Sequence, residues 1–156
     1  QIACLLFTVL FSENSLAFSN ENALRGLDKS YVYFDINTGD PKTLILRFKL
    51  LHQTVAKMTD EGIYVTAIAG IRGKASMFVT RKDYYILEED TDSKKIIQQW
   101  VKRLSEDGIR LEQCSIAADM LGIDYKDFLP ELTIVDNGYI SLIGYQNQGY
   151  AVVPMD

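Results

Sequence analysis

LEQCSIAADMLG, residues 111–122, is the stretch on which the reading of this chain turns. Leu111-Glu112-Gln113 alternates as a strand does and runs into Cys114. Ser115 to Leu121 reads as a short helix, and Gly122 stops it. A thiol therefore stands where a strand hands over to a helix. Working outward, every flanking segment repeats that alternation.

Downstream, residues 124–129 (DYKDFL) read as another short helix and Leu132 to Val135 as a strand. Asn137 caps a helix through Gln148, Gly149 ends it, and Tyr150 to Val153 is a last short strand. Upstream, Ile109 to Gln113 is preceded by a helix from Lys94 to Asp107, capped by Ser93 and ended by Gly108. Ile96, Ile97, Trp100, Val101 and Leu104 share its apolar face. Residues 81–93 are charged and irregular. Ile63 to Ala69 is a strand, Gly70 to Gly73 a glycine-bounded turn, and Lys74 to Thr80 a short helix. Before these, Tyr31 to Ile36 is the first strand, and Asp40-Pro41 opens a helix. That helix carries Leu44, Phe48, Leu51, Val55 and Met58 in one stripe and stops at Gly62. Strands alternating with helices predict an α/β fold: a mostly parallel sheet of about five strands, helices on both faces, right-handed crossovers, and ligands at the carboxyl ends of the strands. Cys114 stands at one of those ends.

With 156 residues, the chain is long enough for one domain. Apolar residues make up 47% and charged residues 24%, ordinary globular values. The net charge of −5 favours neither a nucleic-acid backbone nor an anionic membrane as partner. His52 is the lone histidine, which excludes a multi-histidine metal site, and Cys4 with Cys114 cannot complete a four-ligand zinc site. No metal and no cofactor is called for.

The first nineteen residues differ from the rest. Ile2 to Phe11 (IACLLFTVLF) is apolar except for Thr8, and Ala17-Phe18-Ser19 fits the small-residue pattern cut by signal peptidase. A run of ten is short of the roughly 20 residues that span a bilayer. Residues 1–19 therefore read as a secretory signal entered partway, since an initiator Met and a basic leading segment are missing. The competing reading is a buried N-terminal strand or helix. Cleavage after Ser19 leaves a mature domain of residues 20–156, exported and expected in the periplasm, with Cys114 as its single cysteine and no internal disulfide.

A cysteine just before the first turn of a helix faces unpaired backbone N–H groups and the positive end of the helix dipole. Both favour thiolate over thiol, the reactive form. The plainer reading is a small hydrophobe closing a strand, since cysteine is among the most buried residue types. Arg72 and Lys74, at the end of the second strand, can meet an anion there, or can simply be solvated charges on a turn. Gly73-Lys74 is no P-loop, because Ile68 stands at the first glycine position and Ala75 follows the lysine. Asp119 would oppose thiolate formation and receives no catalytic role. The acidic run Glu88 to Asp92 lacks the ligand alternation and the glycine of an EF-hand and reads as a solvated loop.

The ordered set Ile109 to Cys114, Ala117-Ala118, Gly122-Ile123-Asp124, Leu129-Pro130, Val135 to Gly138 and Gln148 to Pro154 resembles the DsrE/DsrF-like family, whose members are associated with sulfur oxidation and sulfur relay. Ile71 to Ala75 resembles the family's glycine-containing turn after its second strand. The likeness covers most of residues 31–156. It implies a three-layer α/β/α fold and homo-oligomers, commonly trimers or hexamers. It also implies that Cys114 matches the cysteine that carries a persulfide in relay members. Well-understood members act inside the cell, so an exported chain would meet other donor and acceptor partners.

Two functions follow as expectations. In the first, Cys114 holds sulfur as a persulfide, a carrier and at most a sulfurtransferase-like activity, with the amides after Cys114 holding the anion and Arg72 or Lys74 assisting. In the second, the protein is a non-enzymatic oligomeric binding module of the cell envelope, with Tyr139, Tyr145 and Tyr150 at interfaces or pockets. A third, a thiol redox sensor, predicts a reversible dimer through Cys114.

Overall fold

The structure, a computed structural model, describes residues 19–156. The signal-peptide reading and Cys4 lie outside the described residues, apart from Ser19. After a short helix, α1 (Glu21–Leu24), the chain enters β1 (Lys29–Ile36). Helix α2 (Pro41–Asp60) follows as expected, with the Asp40 carboxylate accepting the Thr43 N–H at 2.7 Å. That bond draws the Asp40 carboxyl below its ordinary range. The stabilisation it gives is present above the ordinary value and lost as pH falls through the depressed one. The melting temperature of Asp40→Ala is accordingly expected below that of the wild type at neutral pH, with the gap narrowing as the carboxyl is protonated. A gap unchanged in acid would show that the charge contributes nothing.

Next come β2 (Tyr64–Ile71), α3 (Thr91–Glu106), β3 (Arg110–Cys114), α4 (Ser115–Leu121), β4 (Leu132–Val135), α5 (Gly138–Asn147) and β5 (Ala151–Met155). Gly122 ends α4 at φ 65°, a left-handed conformation that glycine adopts without strain. All neighbouring strands run parallel in the order β4-β3-β2-β1-β5. From β1 to β4 the chain steps in one direction, so right-handed crossovers put α2, α3 and α4 on one face. The return from β4 to β5 beside β1 puts α5 on the other, where it rests on β1, β2, β3 and β5. This is the expected three-layer α/β/α architecture with five strands. No helix of the described residues is long and apolar enough to cross a membrane.

The main core lies under α2 and α3. Val32, Phe34 and Ile36 of β1, Ala69 and Ile71 of β2 and Leu111 of β3 meet Leu44, Phe48 and Leu51 of α2 and Ile97, Val101 and Leu104 of α3. Two sequence expectations change here. Helix α3 begins at Thr91, not Lys94, because the acidic run, solvated as expected, is not an irregular loop: Glu88–Asp90 forms a three-ten turn that leads straight into the helix. Ser93 is therefore internal rather than a cap, and Ile96 faces solvent. Lys94, the expected first residue of the helix, lies within it and is buried; its ammonium donates to Thr80 Oγ1 at 2.9 Å and to the Lys82 carbonyl, and pairs with Asp83 at 3.3 Å. That anchor fixes the long segment between β2 and α3.

Around Cys114, the expected helices at 74–80 and 124–129 are three-ten turns, Gly73–Val79 and Tyr125–Asp127. They are joined by an isolated antiparallel bridge between Thr80 and Phe128. With the turn structure held by cross-segment bonds (Arg81 N–H to the Asp127 carbonyl at 2.7 Å, Leu129 N–H to the Val79 carbonyl at 3.1 Å), neither needs a full helical turn of its own.

Candidate functional site

Strand alternation decides where the thiol points. On β3, Leu111 and Gln113 face the α2/α3 side, whereas Glu112 and Cys114 face α5. The connection after β3 leads to α4 on one face, and that after β4 leads to α5 on the other. Their divergence opens a crevice at the carboxyl ends of these neighbouring strands, the place where ligands lie in such sheets. Cys114 closes β3 in extended conformation at the floor of that crevice.

Its sulfur accepts the N–H of Gly138, the first residue of α5, at 3.2 Å. This corrects the expected geometry. The amides after Cys114 belong to α4, on the opposite side of the sheet from the sulfur, and no cap bond joins them to its side chain. The donor comes from twenty-four residues downstream. Glycine lets the two segments approach closely: a Cβ on residue 138 would stand 3.1 Å from Cys114 Cβ, tighter than ordinary contact, and 3.4 Å from Sγ. Asn137 caps α5 through its side-chain oxygen, which accepts the Tyr139 N–H at 2.9 Å, and so holds this first turn in place.

Cys114 is 5% exposed, yet it is not sealed. It lines a cavity of about 380 Å³, within the range of small-ligand sites. Ile116, Ala117, Met120 and Leu121 of α4 make one wall, and Tyr139 of α5 the other. Arg72, Gly73 and Lys74 form the remaining rim. The structure thus brings all three sequence-derived candidates, Cys114, Arg72 and Lys74, to one cavity. A larger hollow on the outer face of α3, about 600 Å³, is an open surface between charged side chains with no nucleophile, and the chemistry is not there.

The two basic residues differ in what they are free to do. The Arg72 guanidinium donates to both oxygens of Asp35, at 2.8 and 2.7 Å, and to the Tyr139 hydroxyl at 3.3 Å. It also sits 4.9 Å from the centre of the Tyr139 ring. The Asp35 bond holds Arg72 above the ordinary arginine range. Lys74 is exposed and forms no ion pair among the described residues.

Sequence reasoning missed the polar layer beneath α5. Asp35, Glu112 and Tyr33 are all buried there. Glu112 accepts the Tyr145 hydroxyl at 2.6 Å through one oxygen, and its other oxygen has no partner among the described residues. Burial, then the charge of Glu112, then that of Asp35, push the Tyr33 hydroxyl well above the ordinary tyrosine range. The signal was present in YVYFDI: Tyr31, Tyr33 and Asp35 alternate with Val32, Phe34 and Ile36, so one strand buries two different faces. Tyr145, expected at an interface or pocket, packs between Tyr33 and Tyr150. His52 lies far from the thiol, 3.2 Å from Asp107, and Asp119 accepts the Tyr125 hydroxyl at 2.5 Å. No group of three or more metal-ligating side chains occurs among the described residues.

Comparison with known proteins agrees with this architecture. The chain is 29% identical over 122 residues to an uncharacterized protein of Aquifex aeolicus (strain VF5), a match that takes in 78% of this chain and 54% of that one. The chain therefore spans about half the length of that relative. Its fold matches the solved structure of MTH1491, a protein of unknown function from Methanobacterium thermoautotrophicum, with a TM-score of 0.64 at 19% identity, covering 80% of this chain and 98% of that one. The description of the DsrE/DsrF-like family matches residues 31–155, and the chain belongs to that family.

Proposed function

We propose that the protein is a sulfur carrier in which Cys114 holds sulfane sulfur as a persulfide. The observation that carries this reading is the Gly138 N–H directed at Cys114 Sγ on the floor of a ligand-sized cavity. A backbone donor at the positive end of α5 favours negative charge on the sulfur. The thiolate attacks the sulfane sulfur of a donor; a new S–S bond forms, and the donor leaves with the electron pair of the broken bond. An acceptor thiolate then takes the outer sulfur by the same exchange, and Cys114 leaves as thiolate. Mass spectrometry after exposure to inorganic polysulfide is expected to show one added sulfur on Cys114, removed by dithiothreitol. An unchanged mass, with the thiol still open to iodoacetamide, overturns the reading.

Gly138→Ala tests the geometry. The added methyl presses on Cys114 Cβ and lies in contact with the sulfur, crowding it on the α5 side, so a several-fold slower alkylation of Cys114 is expected, with a melting temperature close to the wild type. Unchanged alkylation would show that the close approach of α5 does not govern the thiol.

Within this proposal the protein is exported to the periplasm and works as a homo-oligomer, a trimer or hexamer. The apolar run at residues 2–11 and the Ala17-Phe18-Ser19 pattern support export; a chain starting at Asn20 in the periplasmic fraction is the expected result. Ile134 on the edge strand and Ile140 and Ile143 on α5 are exposed, which supports assembly. The same exposed residues favour a second reading, an oligomeric binding module without sulfur chemistry, which light scattering and the polysulfide experiment together separate from the first.

A further inference from the structure

We infer that the cavity over Cys114 selects organic sulfane-sulfur donors that join an apolar body to a negative charge, as arene thiosulfonates do, and that Lys74 meets that charge. This rests on the reading of Cys114 as a sulfur carrier.

The walls specify the body of the donor. Ile116 is 44% exposed, Met120 83% and Tyr139 58%, and all three border the cavity rather than packing away from it. Covering them with an apolar group removes their surface from water, a gain that inorganic thiosulfate cannot provide. No carboxylate lines the cavity among the described residues, and its ionic groups are Arg72 and Lys74.

Between these two, geometry selects Lys74. Arg72 is neutralised by Asp35 through two hydrogen bonds and covered by the Tyr139 ring, so its charge is already spent within the wall. Lys74 has no such partner, and its stem lies against Gly39. A Cβ on residue 39 would stand 2.8 Å from Lys74 Cβ and 2.9 Å from Cδ, so the glycine leaves the channel along which the lysine extends. Lys74 itself borders the cavity, and its four-carbon stem is flexible enough for the ammonium to reach a charge bound there.

The chemistry needs a cation there. A thiolate attacking an anionic donor brings two negative charges together, and the Gly138 N–H and the Lys74 ammonium offset that repulsion. Cys114 Sγ attacks the terminal sulfur of the thiosulfonate and forms a new S–S bond. The bond from that sulfur to the sulfonyl sulfur breaks, and the arenesulfinate leaves with the electron pair. Cys114 is left as a persulfide anion; no proton and no outside oxidant or reductant is consumed.

The test measures the initial rate of persulfide formation on the full chain, by mass, with benzenethiosulfonate and with thiosulfate, for wild type, Lys74→Gln and Lys74→Arg. Iodoacetamide labelling of Cys114 in each variant checks that the thiol remains intact. The expected result is loading by benzenethiosulfonate about tenfold faster than by thiosulfate. Lys74→Gln should slow it by about tenfold and Lys74→Arg largely restore it, with iodoacetamide labelling unchanged. Persulfide formed from both donors at equal rates, or at a rate indifferent to Lys74→Gln, overturns the inference and leaves the carrier reading standing. No persulfide from either donor or from polysulfide, with the thiol still labelled by iodoacetamide, overturns both.

Discussion

Cys114→Ser is expected to take up no sulfur while keeping its fold and its assembly state. Serine is close in shape, and its oxygen can accept the same Gly138 N–H that Sγ accepts at 3.2 Å. The stability cost should be about 1 kcal/mol or less, in the range of a small isosteric change. Sulfur transfer is different in kind. A serine hydroxyl carries no anion at neutral pH, and an oxygen cannot exchange with a sulfane sulfur as a thiolate does. Mass spectrometry after polysulfide treatment should therefore show no adduct on the variant, with circular dichroism and light scattering matching the wild type. If the variant still gains sulfur, the adduct belongs elsewhere, and Cys114 is a packing residue. If it neither folds nor assembles, the thiol is chiefly structural, and Cys114→Ala then shows whether the Gly138 bond or the side-chain volume was responsible.

Gly70→Ala is expected to be the most damaging single methyl group in the sheet. Gly70 lies on β2 with its α5 side covered by the Tyr33 ring. A Cβ there would stand 1.8 Å from the Tyr33 hydroxyl oxygen and 2.3 Å from Cζ, far inside contact distance. Tyr33 is 1% exposed and stacks on Tyr145 with ring centres 5.7 Å apart, so it has nowhere to swing. Either the ring or the strand must move, at about 3 kcal/mol or more for such overpacking. For a domain of this size that is a fall in melting temperature on the order of 10 °C. Tyr33→Leu in the same chain should recover part of the loss, so the double variant is more stable than the two single losses together require. Strict additivity, or a Gly70→Ala protein melting with the wild type, would show that Tyr33 does not cover Gly70. The thiol provides a second readout. Asp35, two residues beyond Tyr33 on the same strand face, holds Arg72, which lines the Cys114 cavity. A displaced Tyr33 should therefore also alter the rate at which Cys114 is alkylated.

Periodicity carries a long way where an element buries one face. The stripe Leu44, Phe48 and Leu51 is buried as its spacing predicts, and Ser115–Leu121 and Leu132–Val135 have the bounds expected from their flanking glycine and turn residues. It carries less far where tertiary contacts replace local ones. The burial of Lys94 is not legible in its helix-start position, because nothing near it in sequence announces that Thr80 and the Lys82 carbonyl will meet its ammonium. The segments 73–79 and 125–127 look helical from composition, but each borrows hydrogen bonds from the other and needs only a three-ten turn. The site follows the same division. That Cys114 ends a strand was legible, as were Arg72 and Lys74 near a neighbouring strand end. The identity of the donor to the sulfur was not, because it depends on which way one side chain alternates.

By itself, then, the order of residues determined the α/β class, the family and the placement of Cys114 at the carboxyl end of a parallel strand, since these rest on local periodicity, chain reversals and short motifs. Tertiary structure alone decided that α5 supplies the Gly138 amide to the sulfur, that Asp35 immobilises Arg72, and that Lys74 is left free at the rim. The physical reason is that a hydrogen bond or an ion pair is won by whichever group the fold brings within about 3 Å. Here the partners lie twenty-four and thirty-seven residues apart along the chain, where no sequence spacing records their meeting.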